Sequence, residues 1–145
     1  RHNDNIMISE TGHFFHIDFG HFLGNWQKWK GLKRDRAPFV FTPELAYVMG
    51  GKNSPDFERF CKLCAKAYNI VRKHSHIIMN MFSLMVSTGM PELKKIENLF
   101  YLRDAFALDK TPEEAEIFFN SLILKSLNTT ATRLNNAIHI LVHPT

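Results

Sequence analysis

Arg1-His2-Asn3-Asp4-Asn5-Ile6-Met7-Ile8-Ser9-Glu10-Thr11-Gly12-His13-Phe14-Phe15-His16-Ile17-Asp18-Phe19-Gly20 decides how the rest of this chain is read. Two apolar runs, Ile6-Met7-Ile8 and Phe14-Phe15-His16-Ile17, flank the turn-forming Ser9-Glu10-Thr11-Gly12, which predicts a small β-hairpin. A hairpin brings its outer ends together. Here both ends are polar: Arg1 to Asn5 precedes the first strand, and Asp18-Phe19-Gly20 follows the second.

That juxtaposition suits phosphoryl transfer from a nucleoside triphosphate. The chemistry needs hard oxygen ligands for magnesium and a group that accepts the attacking hydroxyl's proton. Asn5 and Asp18 are the right types for the metal. His2 can take the proton, because imidazole titrates near pH ~6.5. Each of these residues alone says little. The signal is their order, bridged by a hairpin and followed by a glycine-containing loop.

Working outward, residues 20–42 show no helical period and carry Gly20, Gly24, Gly31 and Pro38, so they read as a long loop without regular structure. Lys28, Lys30, Lys33, Arg34 and Arg36 crowd into it against one acid, Asp35, with Trp26 and Trp29 interleaved. Arginine grips phosphate bidentately. An anionic membrane attracts such a segment by about 1 kcal/mol per basic residue, and tryptophan favours the interface. A solvated loop with no partner is the plain alternative.

From residue 43 the text turns helical. Pro43 to Met49 predicts a short helix ended by Gly50-Gly51. Ser54-Pro55 opens a second, with Phe57, Phe60, Cys61, Cys64, Ala67, Tyr68 and Val71 on its apolar stripe. Residues 75–87 are apolar nearly all round, which predicts a buried helix, broken by Gly89 and Pro91. Ile96, Leu99, Phe100 and Phe106 mark the next. Thr111-Pro112-Glu113-Glu114 is a capping box for a helix burying Ala115, Phe118, Phe119, Leu122 and Ile123. Ala131, Leu134, Ile138 and Leu141 mark the last.

Other features have plainer readings. Cys61-x-x-Cys64 lies on an apolar helix face without a second cysteine pair, so it reads as core packing rather than zinc or redox chemistry. His74 and His76 do not share a helix face, and the Met and Phe runs over 77–90 read as core. Arg72 and Lys73 suit the end of their helix dipole and need no further role. With 145 residues, 45% hydrophobic and 22% charged, the composition is that of one globular domain, with two cysteines suited to a reducing compartment. The net charge of +4 fits an anionic partner without naming it. No apolar run reaches membrane-spanning length.

Arg1-His2-x-x-Asn5 with Asp18-Phe19-Gly20 resembles the phosphoinositide 3-kinase family, whose loop reads Asp-Arg-His-x-x-Asn. The resemblance runs the whole length. Lys33-Arg34-Asp35-Arg36-Ala37-Pro38-Phe39-Val40 is similar to the activation loop of class II members, where class I enzymes usually have Glu-Arg-Val-Pro-Phe. Ala65 to Lys73, Gly89-Met90-Pro91-Glu92-Leu93 and Tyr101-Leu102-Arg103-Asp104-Ala105 also look like class II. Lys28 and Lys30 partly fill a region where class I enzymes carry a separate lysine-rich cluster that class II enzymes generally lack.

The resemblance implies a mainly α architecture: the C-lobe of a kinase-like α+β fold, with a short hairpin and an activation loop leading into a helical bundle. It divides the chain into a catalytic loop at 1–5, a metal-binding motif at 18–20, an activation loop at 18–44 and a helical part at 43–142. It implies that His2 assists deprotonation of the inositol 3-hydroxyl and that Asn5 and Asp18 hold Mg2+. Asn5, Asp18, Phe19 and Gly20 would form the cofactor site, with ATP as cosubstrate. Lys33, Arg34 and Arg36, with Lys28 and Lys30, would meet the phosphoinositide headgroup and an anionic membrane surface, not nucleic acid. The location implied is cytoplasmic, peripheral on membranes. The family's ATP-binding N-lobe lies upstream of this loop, so the chain is expected to be a piece of a longer protein and inactive by itself. Two other readings stand beside the lipid kinase. One is a non-catalytic kinase-like module that binds membranes or partners. The other is a protein kinase of the same superfamily, which the cationic loop suits less well than it suits an anionic lipid.

Overall fold

The computed structural model describes residues 5–19, 22–25, 28–29, 32–33, 37–90, 93 and 97–129. Strands β1 (Ile6–Ile8) and β2 (Phe14–His16) form the expected antiparallel hairpin, with Ile6 opposite His16 and Ile8 opposite Phe14. Its turn is closed by Ser9 N–H to His13 O at 2.8 Å and Gly12 N–H to Ser9 O at 2.9 Å, with Gly12 at φ 82°. Only glycine takes that backbone without steric cost.

The 20–42 region is not without regular structure. β3 (Lys28–Trp29) and β4 (Leu32–Lys33) pair antiparallel, Lys28 opposite Lys33 and Trp29 opposite Leu32. Strands of two residues carry no readable period. The available clue in the sequence is Gly31, a residue type favoured in short hairpin connections.

The helices begin where their caps dictate. Thr42 accepts from Leu45 N–H at 3.5 Å and opens α1 (Pro43–Val48). Ser54 accepts from Phe57 N–H at 3.1 Å, donates to Met49 O, and opens α2 (Pro55–Lys73). Helix α3 (Ser75–Met85) follows almost at once and ends in a 3-10 turn, Val86–Thr88, before Gly89. Helix α4 spans Glu97–Ala105. The full capping box, Glu114 N–H to Thr111 Oγ1 at 3.2 Å and Thr111 N–H to Glu114 Oε2 at 2.9 Å, starts α5 (Pro112–Asn128). Such caps contribute about 1 kcal/mol each. The helix expected around Ala131 to Leu141 lies outside the described residues, as do Pro91 and Ile96.

Two apolar clusters hold the helices together. In the first, Phe41, Ala46, Phe57 and Ile123 are buried, with Phe60, Cys61, Cys64 and Phe119 packed against them. Phe41 stacks on Phe60 at 5.3 Å between centroids, and Tyr68 on Phe119 at 4.6 Å. Both cysteines therefore pack as read, and burial pushes both thiols above their ordinary pKa. Small residues, Ala65 on α2 and Ala115 on α5, are buried where these two contacting helices can approach closely. The second cluster joins Leu23, Leu93 and Leu99, ringed by Phe22, Phe82, Met85 and Leu102.

Two expectations fail here. Ala67 and Val71 are exposed, and the stripe of α2 withdrawn from solvent runs from buried Phe57 and Ala65 through half-buried Cys61, Cys64 and Tyr68 to Arg72. Positions 67 and 71 share a helix side with the packed Phe60 but lie further along α2, and neither is packed against the cluster that covers Phe60. Helix α3 is not buried all round either: Ile77, Met81 and Leu84 are exposed, Leu84 at 78%. Only the side carrying Phe82, Met85 and Val86 is packed against the second cluster. Apolar content shows that a face can be covered, not that it is.

Candidate active site

The hairpin ladder continues one step past β2, because Ile17 N–H donates to Asn5 O at 3.1 Å. That bond sets Asn5 beside the residue after Ile17. Asn5 Nδ2 then donates to Asp18 Oδ2 at 3.3 Å. The two predicted metal ligands, 13 residues apart in sequence, thus meet at the open end of the hairpin. Asp18 sits at φ 60°, in the left-handed region that Asp tolerates better than most side chains. Phe19 stands 65% exposed beyond it.

A carboxylate and a carboxamide are hard oxygen donors. Magnesium is commonly held by one or two protein carboxylates, completed by phosphate oxygens and water rather than by a full protein cage. The donor set fits that ion. Among the described residues no three His, Cys, Asp or Glu side chains converge, so nothing described offers a cage of the zinc type.

His2, Gly20, Lys30, Arg34 and Arg36 lie outside the described residues. Lys28 and Lys33 are described by their backbone, which sets them opposite each other on the β3–β4 ribbon. The sequence reading separated Lys28 and Lys30 from Lys33, Arg34 and Arg36. The register sets one member of each group, Lys28 and Lys33, opposite each other.

Downstream of Asp18 the chain makes a tight turn. Asn25 N–H and Asn25 Nδ2 both donate to Phe22 O, at 3.1 and 2.9 Å. Leu23 and Gly24 have φ of 53° and 77°, the signs of a type I′ turn. For leucine the left-handed backbone costs about 1–2 kcal/mol, offset by burial of its side chain against Leu93 and Leu99.

Sequence reasoning missed the role of Arg72. It is in the last turn of α2, as the dipole argument has it, yet its guanidinium reaches three backbone carbonyls. Nε donates to Phe106 O at 2.7 Å, and Nη2 to Ala107 O at 2.9 Å and Lys110 O at 2.6 Å. Nη1 donates to Asn69 Oδ1 at 2.7 Å, and Tyr68 Oη to Ala105 O at 2.7 Å. Side chains of α2 therefore meet carbonyls at the end of α4 and in the connection that follows it. Burial raises the Tyr68 pKa, against the lowering by Arg72. No local pattern marks an arginine whose partners lie 34 to 38 residues away.

A helical lobe, fronted by a hairpin whose open end joins an asparagine to an Asp-Phe-Gly motif, has the form of a kinase C-lobe. A profile of the family described as phosphatidylinositol 3- and 4-kinase matches residues 1–95, and the chain belongs to that family. It is 54% identical over 143 residues to phosphatidylinositol 3-kinase 3 of Dictyostelium discoideum, covering 99% of this chain and 8% of that protein. It is 51% identical over 141 residues to the human phosphatidylinositol 4-phosphate 3-kinase C2 domain-containing subunit beta, covering 96% of this chain and 9% of that protein. The rat C2 domain-containing subunit gamma is 50% identical over 143 residues, 97% of this chain and 10% of that protein. The chain thus spans a tenth or less of the length of these relatives, among them the C2 domain-containing, class II type of phosphoinositide 3-kinase.

Proposed function

We propose that, within a longer protein, this chain supplies the catalytic and metal-binding loops of a lipid kinase. The reaction is transfer of the ATP γ-phosphate to the inositol 3-hydroxyl of phosphatidylinositol or its 4-phosphate. The observation that carries the reading is the meeting of Asn5 and Asp18 at 3.3 Å, in a chain about half identical to proteins named as phosphatidylinositol 3-kinases.

His2 takes the proton of the 3-hydroxyl as its oxygen bonds to the γ-phosphorus, the bond to the β-phosphate oxygen breaks, and ADP leaves. Asn5 and Asp18 hold magnesium, which when bound neutralises charge on the phosphates. Phe19 and Gly20 complete the cofactor site. Lys28, Lys30, Lys33, Arg34 and Arg36 meet the headgroup and the anionic membrane surface. The pairing of Lys28 opposite Lys33 supports one cationic patch rather than two. The protein then works at the cytoplasmic face of membranes, as a peripheral enzyme.

The test is ATP-dependent phosphorylation by the full-length protein of vesicles containing phosphatidylinositol or its 4-phosphate, against a peptide control, with the position of the new phosphate determined. Product phosphorylated at the inositol 3-position is expected. Phosphorylated peptide without lipid product would favour a protein kinase, and no transfer to either would leave a non-catalytic binding module.

A further inference from the structure

Asp18 is suspended between two fixed points. Upstream, Ile17 is tied to Asn5 by a backbone hydrogen bond of 3.1 Å. Downstream, the Phe22–Asn25 turn is fixed by burial of Leu23, by the paired bonds of Asn25 to Phe22 O, and by α4. Only residues 18–21 lie between the points, so a shift at either end is passed to Asp18 over a few residues.

The α4 contact is unusually close. A Cβ placed on Gly24 would stand 2.9 Å from Tyr101 Cδ2 and 3.2 Å from Tyr101 Cγ. Those atoms belong to the root and near edge of a ring, not to a flexible tip. Gly24 also needs φ 77°, and its neighbour Leu23 accepts φ 53° although leucine rarely does. Strained backbone persists where the surroundings over-determine it, and it concentrates at functional sites. Here the strained turn follows closely on a residue that is itself left-handed, Asp18. What the strain adds is a fixed starting point for the chain at Phe22, four residues from Asp18 in sequence.

We infer that Gly24 and Tyr101 are positioning residues: the seat of the Leu23-Gly24 turn on α4 sets where the Asp18 carboxylate stands relative to Asn5. The inference rests on the assignment of Asp18 as a metal ligand in the proposed kinase reaction.

The experiment uses the full-length protein with Gly24→Ala and Gly24→Asn, alone and with Tyr101→Ala. Three quantities are read: Mn2+ binding in the presence of ATP, by loss of the free-ion electron paramagnetic resonance signal; hydrogen exchange of a peptide covering residues 14–25 without metal; and kcat and KM for lipid. Gly24→Ala is expected to lower kcat about 10- to 100-fold, the scale of an ångström misplacement. It should also weaken Mn2+ binding and speed exchange at the Asn25 amide, with KM for lipid unchanged. Gly24→Asn should fall between it and wild type, since Asn accepts the left-handed backbone but still presents a Cβ to Tyr101. Tyr101→Ala should return part of the Mn2+ affinity lost in Gly24→Ala. If Gly24→Ala yields no folded protein, Gly24→Asn decides alone. Wild-type Mn2+ binding and turnover per folded molecule in these variants would overturn the inference. Altered Mn2+ binding and exchange in a protein whose wild type phosphorylates no lipid would leave the anchor standing and remove the kinase reading.

Discussion

Between α2 and α5 the chain buries Ala65, Ala115 and Ile123 almost completely, and Arg72 and Tyr68 meet the carbonyls at the end of α4. The β1–β2 hairpin is the reverse: Met7, Ile8, Phe14, Phe15 and Ile17 are all exposed, and the Asn5–Asp18 side-chain bond joins its working end. One region has the packing and hydrogen bonding from which stability comes. The other presents apolar side chains and a strained aspartate where phosphate chemistry would occur. Functional loops are drawn from the less stable parts of a fold and positioned by a rigid scaffold.

The comparison can be broken from either side. A large effect is expected at His2. In the full-length protein His2→Ala should slow lipid phosphorylation about 10²–10⁴-fold, the usual worth of a general base, and leave hydrogen exchange in α2 and α5 unaltered. A wild-type rate would remove its assigned role. On the scaffold side, Arg72→Met removes the guanidinium from three carbonyls, of which Ala107 O keeps the Lys110 N–H, and should cost about 2–4 kcal/mol. Hydrogen exchange of the α4 C-terminal and α5 amides would show it as faster opening, and unchanged protection there would contradict the clamp.

A smaller effect sharpens the reading of the β3–β4 ribbon. Changing Lys33, Arg34 and Arg36 together to Ala should reduce turnover of phosphatidylinositol 4-phosphate more than of phosphatidylinositol, since each charge-assisted contact is worth about 1.5–3 kcal/mol when desolvated and less when exposed. Because Lys28 pairs in register with Lys33, Lys28→Ala should shift the same ratio in the same direction. Equal losses on both lipids would leave general membrane attraction only.

The smallest effect is alkaline. Cys61, Cys64 and Tyr68 all have pKa values raised chiefly by burial, from ordinary values of 9.0 for the thiols and 10.0 for the phenol. A raised folded-state pKa gives stability that is complete below the unfolded value and lost as pH rises through the folded one. Urea unfolding should therefore show stability falling from about pH 9 upward, less steeply in Cys61→Ala/Cys64→Ala.

The hairpin and helix starts were legible where their signals are local: a glycine turn between apolar runs, and Ser54 and Thr111 each ahead of a proline. The meeting of Asn5 with Asp18 followed from hairpin geometry alone. What escaped is long-range. The partners of Arg72, the approach of Tyr101 to Gly24 and the uncovered face of α3 all depend on which elements meet in space. Periodicity shows which side of a helix is apolar, and it is silent on which neighbour covers that side.

The account's central claim is that chemistry resides at the hairpin and stability in the α2–α5 layer, and Asp18→Ala tests it most directly. In the full-length protein, ATP-dependent phosphorylation of phosphatidylinositol and hydrogen exchange across α2 and α5 would be measured on the same preparation. The account predicts turnover below about a thousandth of wild type, as when a main electrostatic contributor is removed, with exchange protection unchanged. Lipid phosphorylation retained by a variant lacking the Asp18 carboxylate would contradict it.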